Sequence, residues 1–143
     1  MTMPLWTLLG FATWTVLLLM FTIGVYRWSR ILTGRVPISG FCADKVEGEE
    51  WYRRAMRAHA NCVENLPVFA VIVFALFVSQ VGGPVVNHVC IGILGARILQ
   101  SLVHVCLVQT NAVAALRFTL FFMQVIGFLI LVGMIVRQAG LVA

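Results

Sequence analysis

Residues 5–26 form a run of 22 positions without a single charge, closed by Arg27 and Arg30. Wound as an α-helix at 1.5 Å per residue, this run is about 33 Å long, enough to cross the hydrocarbon layer of a bilayer. Few folds are open to a chain with such a segment. In lipid each backbone amide has to find its partner inside its own helix or within a closed barrel. Three further apolar stretches predict helices over about residues 51–81, 85–108 and 112–136. The chain 1–143 therefore reads as one all-α domain, an integral membrane four-helix bundle. Composition agrees, with 62% of residues hydrophobic and 10% charged, against about 25% charged in an ordinary soluble domain. A surface so poor in charge would aggregate in water.

The charge that exists is unevenly placed. Arg27, Arg30, Arg35, Lys45, Arg53, Arg54 and Arg57 crowd the first loop and its flanks, set against Asp44, Glu47, Glu49 and Glu50. The link between the second and third helices carries none. A net charge of +5 would suit a nucleic-acid binder, but there is no long basic run and no recognition motif, so nucleic acid is not an expected partner. Basic residues beside helix ends act as topology determinants. On that rule the first loop is cytoplasmic and both termini face the other side, with Arg137 the one mild dissent. The N-terminal run lacks a basic start and is too long for a cleavable signal. Cys42, Cys62, Cys90 and Cys106 show no paired spacing, and three of them fall inside apolar helices as small buried hydrophobes. Neither a disulfide framework nor a metal site is expected.

Ionisable groups at a helix centre in hydrocarbon cost about 2.5–3.5 kcal/mol on insertion scales, so each one demands a reason. On the second helix Arg57, Asn61 and Glu64 stand at i, i+4 and i+7, one face of a helix. On the third, Arg97, Ser101 and His104 repeat the spacing, and on the fourth Arg117, Phe121 and Gln124 repeat it again. By helical rise Glu64 lies about 10 Å beyond Arg57, His104 about 6 Å before the end of its helix, and Arg97 about 16 Å before that end. With the first loop inside, all these groups fall in the cytoplasmic half. His88 lies at the other end and is excluded.

Simpler readings exist for each residue taken singly. Arg57 and Asn61 fit an interfacial pair, the arginine snorkelling to the headgroups. Glu64 with Arg97 or Arg117 fits a structural ion pair. His104 fits a packed histidine near a helix end. Gly92 and Ala96 suit close helix packing, the phenylalanines of the fourth helix suit lipid or core, and Pro67 suits a kink. Three coincident stripes are harder to explain structurally, since one pair would suffice. Several arginines, a carboxylate and an asparagine suit a zwitterionic or polyanionic small molecule, because arginine forks grip carboxylates and Glu64 accepts an ammonium. An arginine beside a bound thiol favours its reactive thiolate.

The stretch Arg57-Ala58-His59-Ala60-Asn61-Cys62-Val63-Glu64-Asn65-Leu66-Pro67 resembles the second-helix signature of the MAPEG family, the membrane-associated proteins in eicosanoid and glutathione metabolism. The pattern R-A-x-x-N-x-x-E-x-x-P is fairly specific at the start of the second of four hydrophobic helices. Arg97 and Arg117 stand where members carry arginines on the third and fourth helices. The resemblance, to a bacterial-type member, implies a homotrimer in a bacterial inner membrane. Glutathione as co-substrate would sit between subunits on the cytoplasmic side, and a lipid-accessible cleft would admit an apolar small-molecule substrate. Carried over, Arg57, Asn61 and Glu64 hold glutathione, with Arg97, Ser101 and His104 beside them, and Arg117 is the catalytic residue. Arg30 or Arg27 supplies the first-helix arginine, and Arg30 is the candidate carried forward. Departures are Asn65, His104 and Phe121, where family enzymes commonly have tyrosines whose hydroxyls orient glutathione; His104 and Ser101 are the available substitutes.

Two functions follow. One is a glutathione-dependent transferase or peroxidase acting on an apolar electrophile or a lipid hydroperoxide. The other is a non-catalytic glutathione- or lipid-binding membrane scaffold. A transporter is less well matched, because an internal repeat is missing and the polar groups sit to one side of the midplane.

Overall fold

Four long helices account for most of the chain in the computed structural model, which describes residues 1–41 and 46–142. Cys42, Asp44 and Lys45, part of the charged first loop, lie outside the described residues. Helix α1 spans Met3–Leu32, α2 Glu50–Val78, α3 Pro84–Cys106 and α4 Asn111–Val142. Each contains a window long and apolar enough to cross a membrane. The first helix continues six residues past the Tyr26 boundary expected from hydropathy, because Arg27 and Arg30 occupy its last turns rather than ending it.

Lipid tails are as apolar as leucine, so helices in a bilayer are held together by close packing and interhelical hydrogen bonds rather than by escape from water. Both devices are present. Helix α3 packs against all three others. Its contact with α4 depends on Gly127, where a Cβ would come within 2.8 Å of the Ile93 side chain. Away from the first loop the interior is mostly apolar, built on Phe11, Phe69, Cys90, Phe128 and Leu131. Toward the first loop it changes character, and the buried side of α3 becomes Arg97, Gln100, Ser101 and His104. The bundle has one greasy half and one polar half.

Helix α1 is irregular in its middle. Residues Leu19–Gly24 form a π-helical stretch, which places one extra residue in a turn. Its buried positions show the shift: Pro4, Thr7, Phe11, Thr15 and Leu18 follow at three or four residues, but the next are Ile23 and Tyr26, after a step of five. The buried threonines Thr7 and Thr15 give their hydroxyl protons to the carbonyls of Pro4 and Phe11, at 2.8 and 2.9 Å. The widened turn brings Tyr26 onto Tyr52 of α2, the rings stacked with centroids 4.1 Å apart. Arg27 donates from Nε to the Tyr52 hydroxyl at 2.8 Å. The chain's two tyrosines thus join α1 to α2 at the basic end.

Candidate functional site

The polar half of the bundle contains a chain of side-chain contacts running across three helices. On α4, Arg117 is 8% exposed, and its Nη1 lies 3.0 Å from Nδ1 of His104 on α3. The other ring nitrogen, Nε2, faces the Asn61 amide of α2 at 3.4 Å. Arginine can only donate, so Nδ1 of His104 must accept and the ring is neutral, with its proton on Nε2. Asn61 presents its Nδ2 to that nitrogen, so the two side chains touch, and a hydrogen bond between them requires the amide turned over with its carbonyl oxygen toward the proton.

A second set of bonds anchors α4 to α3. Gln100 donates from Nε2 to the Arg117 backbone carbonyl at 3.1 Å. Fully buried Gln124 donates from Nε2 to Gln100 Oε1 at 3.0 Å and to the Leu120 carbonyl at 2.9 Å. Deeper in, Arg97 is 1% exposed, with its guanidinium carbon 5.5 Å from the centroid of the Phe11 ring. That cation–π contact offsets part of its burial. Nε and Nη2 of Arg97 have no hydrogen-bond partner among the described residues. Ser101, one turn on, donates to the Arg97 carbonyl at 2.9 Å and lies 3.4 Å from the Cys62 sulfur.

Sequence-predicted residues divide into three groups. Asn61, Arg97, Ser101, His104 and Arg117 lie in the polar interior, with Asn61, His104 and Arg117 in direct contact. Arg57 and Glu64 are exposed on the outer side of α2. Among the described residues neither is in an ion pair, so Glu64 does not bridge to Arg97 or Arg117 within one chain. Arg30 is engaged elsewhere, with Nη2 2.6 Å from Glu49 Oε1. Gln100 was missed, and Gln124 was seen only as part of a stripe; two glutamines within apolar helices were the available signal. Cys62 reads from sequence as a buried hydrophobe, and buried it is, but against Ser101. Among the described residues no group of three or more histidine, cysteine or acidic side chains could hold a metal ion.

The polar interior is rich in hydrogen-bond donors. Its donors outnumber its acceptors, two Arg97 nitrogens lack partners, and a guanidinium and a carboxylate wait on the outer face of α2. These features define an all-α, multi-pass integral membrane protein whose helices converge on a guanidinium-lined polar half. The chain belongs to the MAPEG family, whose model matches residues 3–137. Membership places it among membrane proteins with glutathione-related functions. Comparison with curated proteins and with solved structures gave no significant match.

Proposed function

We propose that this protein is a glutathione-dependent membrane transferase or peroxidase, acting on an apolar electrophile or a lipid hydroperoxide, with Arg117 stabilising the glutathione thiolate. The observation that carries the reading is the Arg117–His104–Asn61 chain. His104 takes one nitrogen of the guanidinium and fixes its plane, leaving the remaining N–H donors to meet an anion. A fixed cation in a site poor in water stabilises a thiolate far better than one in bulk solvent.

The outward stripe of α2 supports a homotrimer. Arg57 and Glu64 on the outside of a membrane helix would meet acyl chains in a lone subunit, whereas against a neighbouring subunit they face protein. There they would grip the carboxylate and ammonium of glutathione while Asn61 and Arg117 face it from the interior side. The excess of arginine in the first loop supports a cytoplasmic orientation for this half of the bundle, and the resemblance to a bacterial-type member supports a bacterial inner membrane.

Glutathione added to purified protein should produce the ultraviolet thiolate band, and Arg117→Ala should abolish it. No band at saturating glutathione sinks the mechanism. The scaffold alternative draws support from the Gln100–Gln124 bond, which ties helices together without touching a ligand. On that reading Arg57→Ala and Glu64→Gln dissolve the oligomer; mutants that stay trimeric but lose glutathione dispose of it.

A further inference from the structure

The basic end of the chain holds a second polar hollow, distinct from the interior site. A cavity of about 310 Å³ lies beside the end of α1, and Tyr26, Ser29, Arg30, Arg35, Glu49 and Trp51 are among its lining residues. None of them belongs to the Asn61–His104–Arg117 chain.

A helix stop builds it. Gly34 sits at φ +67°, its amide donates to the Ile31 carbonyl at 3.0 Å, and the Arg35 amide donates to the Arg30 carbonyl at 3.0 Å. This pair of bonds is the Schellman closure, which needs a left-handed residue where Gly34 stands. The reversal folds Arg35 back beside Arg30, so both arginines line one hollow. Glu49 holds Arg30 through Oε1 at 2.6 Å and accepts the Trp51 indole proton on Oε2 at 2.8 Å. The Arg30 guanidinium lies 4.5 Å from the centroid of the Tyr26 ring. Both carboxylate oxygens are thus engaged, and the lining carries two cations against one anion.

Location names the guest. Tyr26 and Trp51 meet edge to face beside the hollow, and Trp28 is exposed on the same last turns of α1, the aromatic content expected at the headgroup level. Val25, another lining residue, and Phe21 four residues earlier are both exposed, an apolar strip leading from the hollow along the outside of α1. We propose that the hollow binds the phosphodiester of an acidic glycerophospholipid, with Arg35 and Arg30 donating to the phosphate and Glu49 keeping Arg30 aimed. The acyl chains follow Val25 and Phe21.

Native mass spectrometry of the full chain, released from micelles doped with phosphatidylglycerol or phosphatidylcholine of matched acyl chains, tests this. Wild type should retain phosphatidylglycerol at about tenfold lower concentration than phosphatidylcholine, which offers the same phosphodiester but adds a trimethylammonium beside two guanidinium groups. Arg35→Gln should erase that preference, and Arg137→Gln, at the other end of the bundle, should leave it intact. Equal retention of the two lipids by wild type overturns the proposal, as does equal loss in both variants, which would mean diffuse charge. Displacement of the lipid by inorganic phosphate or by glutathione at millimolar concentration also overturns it, since the hollow would then serve a soluble anion. If Arg35→Gln fails to fold, Gly34→Ala, which disturbs the reversal, must lose the preference in its place.

Discussion

Helices α2 and α3 carry the same polar spacing and put it to opposite use. On α3, Arg97, Ser101 and His104 are buried at 1%, 1% and 9% exposure. On α2, Arg57 and Glu64 point away from the bundle while Asn61, between them, touches His104. The cause is position. Helix α3 packs against all three other helices and turns its stripe toward them, leaving Ile91, Leu99 and Leu102 outside, whereas the α2 stripe straddles a free flank. A helical period tells which residues share a face; the packing of the bundle decides whether that face looks inward or out. The buried stripe is partnered within one chain, and the outward stripe has no ion-pair partner among the described residues.

That contrast breaks most sharply at Arg117, the α4 residue on which the inner stripe converges. Arg117→Met should lower glutathione-dependent turnover by about 10²–10³-fold, the usual loss when one preorganised donor to a developing anion is removed, with folding retained by circular dichroism. A loss below about fivefold would mean that the inner chain does not carry the chemistry. Next comes the outer stripe. Arg57→Ala and Glu64→Gln should each weaken glutathione binding by about tenfold or more, as expected for a hydrogen bond to a charged group, measured by calorimetric titration. Neither should alter the thermal unfolding of the bundle much, because neither bonds to another helix of its own chain.

Smaller effects refine the inner half. Gln124→Leu removes the bond to Gln100 and should cost about 1 kcal/mol, in the range of interhelical hydrogen bonds in lipid, read as a lowered unfolding midpoint in detergent. Arg97→Met should be close to neutral for stability, since the guanidinium lacks partners at two nitrogens and buried charges are often replaceable by apolar residues of similar size. A large destabilisation by Arg97→Met would show that the arginine is a strut rather than a ligand contact.

Much of this was legible beforehand. The four spans were, because apolar stretches of that length have little else to become, and so was the gathering of Asn61, His104 and Arg117 in one half, because helical rise fixes depth. Orientation about each helix axis was not. Nothing local in Arg57-x-x-x-Asn61-x-x-Glu64 distinguishes it from Arg97-x-x-x-Ser101-x-x-His104. The partner of Arg30 was also hidden, since Glu49 reaches it only after the loop has folded back. So was the pairing of Gln100 with Gln124, which depends on the close approach allowed by Gly127.

The wide turn at Leu19–Gly24 acts as a phase shifter. Residues before it and after it obey two different clocks, so any template that steps through α1 at a constant interval goes out of register by one position at its basic end. That slip is enough to interchange Arg27, which bonds Tyr52, with exposed Trp28. Matching this helix to one without such a turn would require a one-residue gap inside the membrane. Deleting a single residue from that turn is the corresponding experiment in the molecule itself: the step of five becomes four, the turn becomes regular α-helix, and the lock between the two tyrosines should survive.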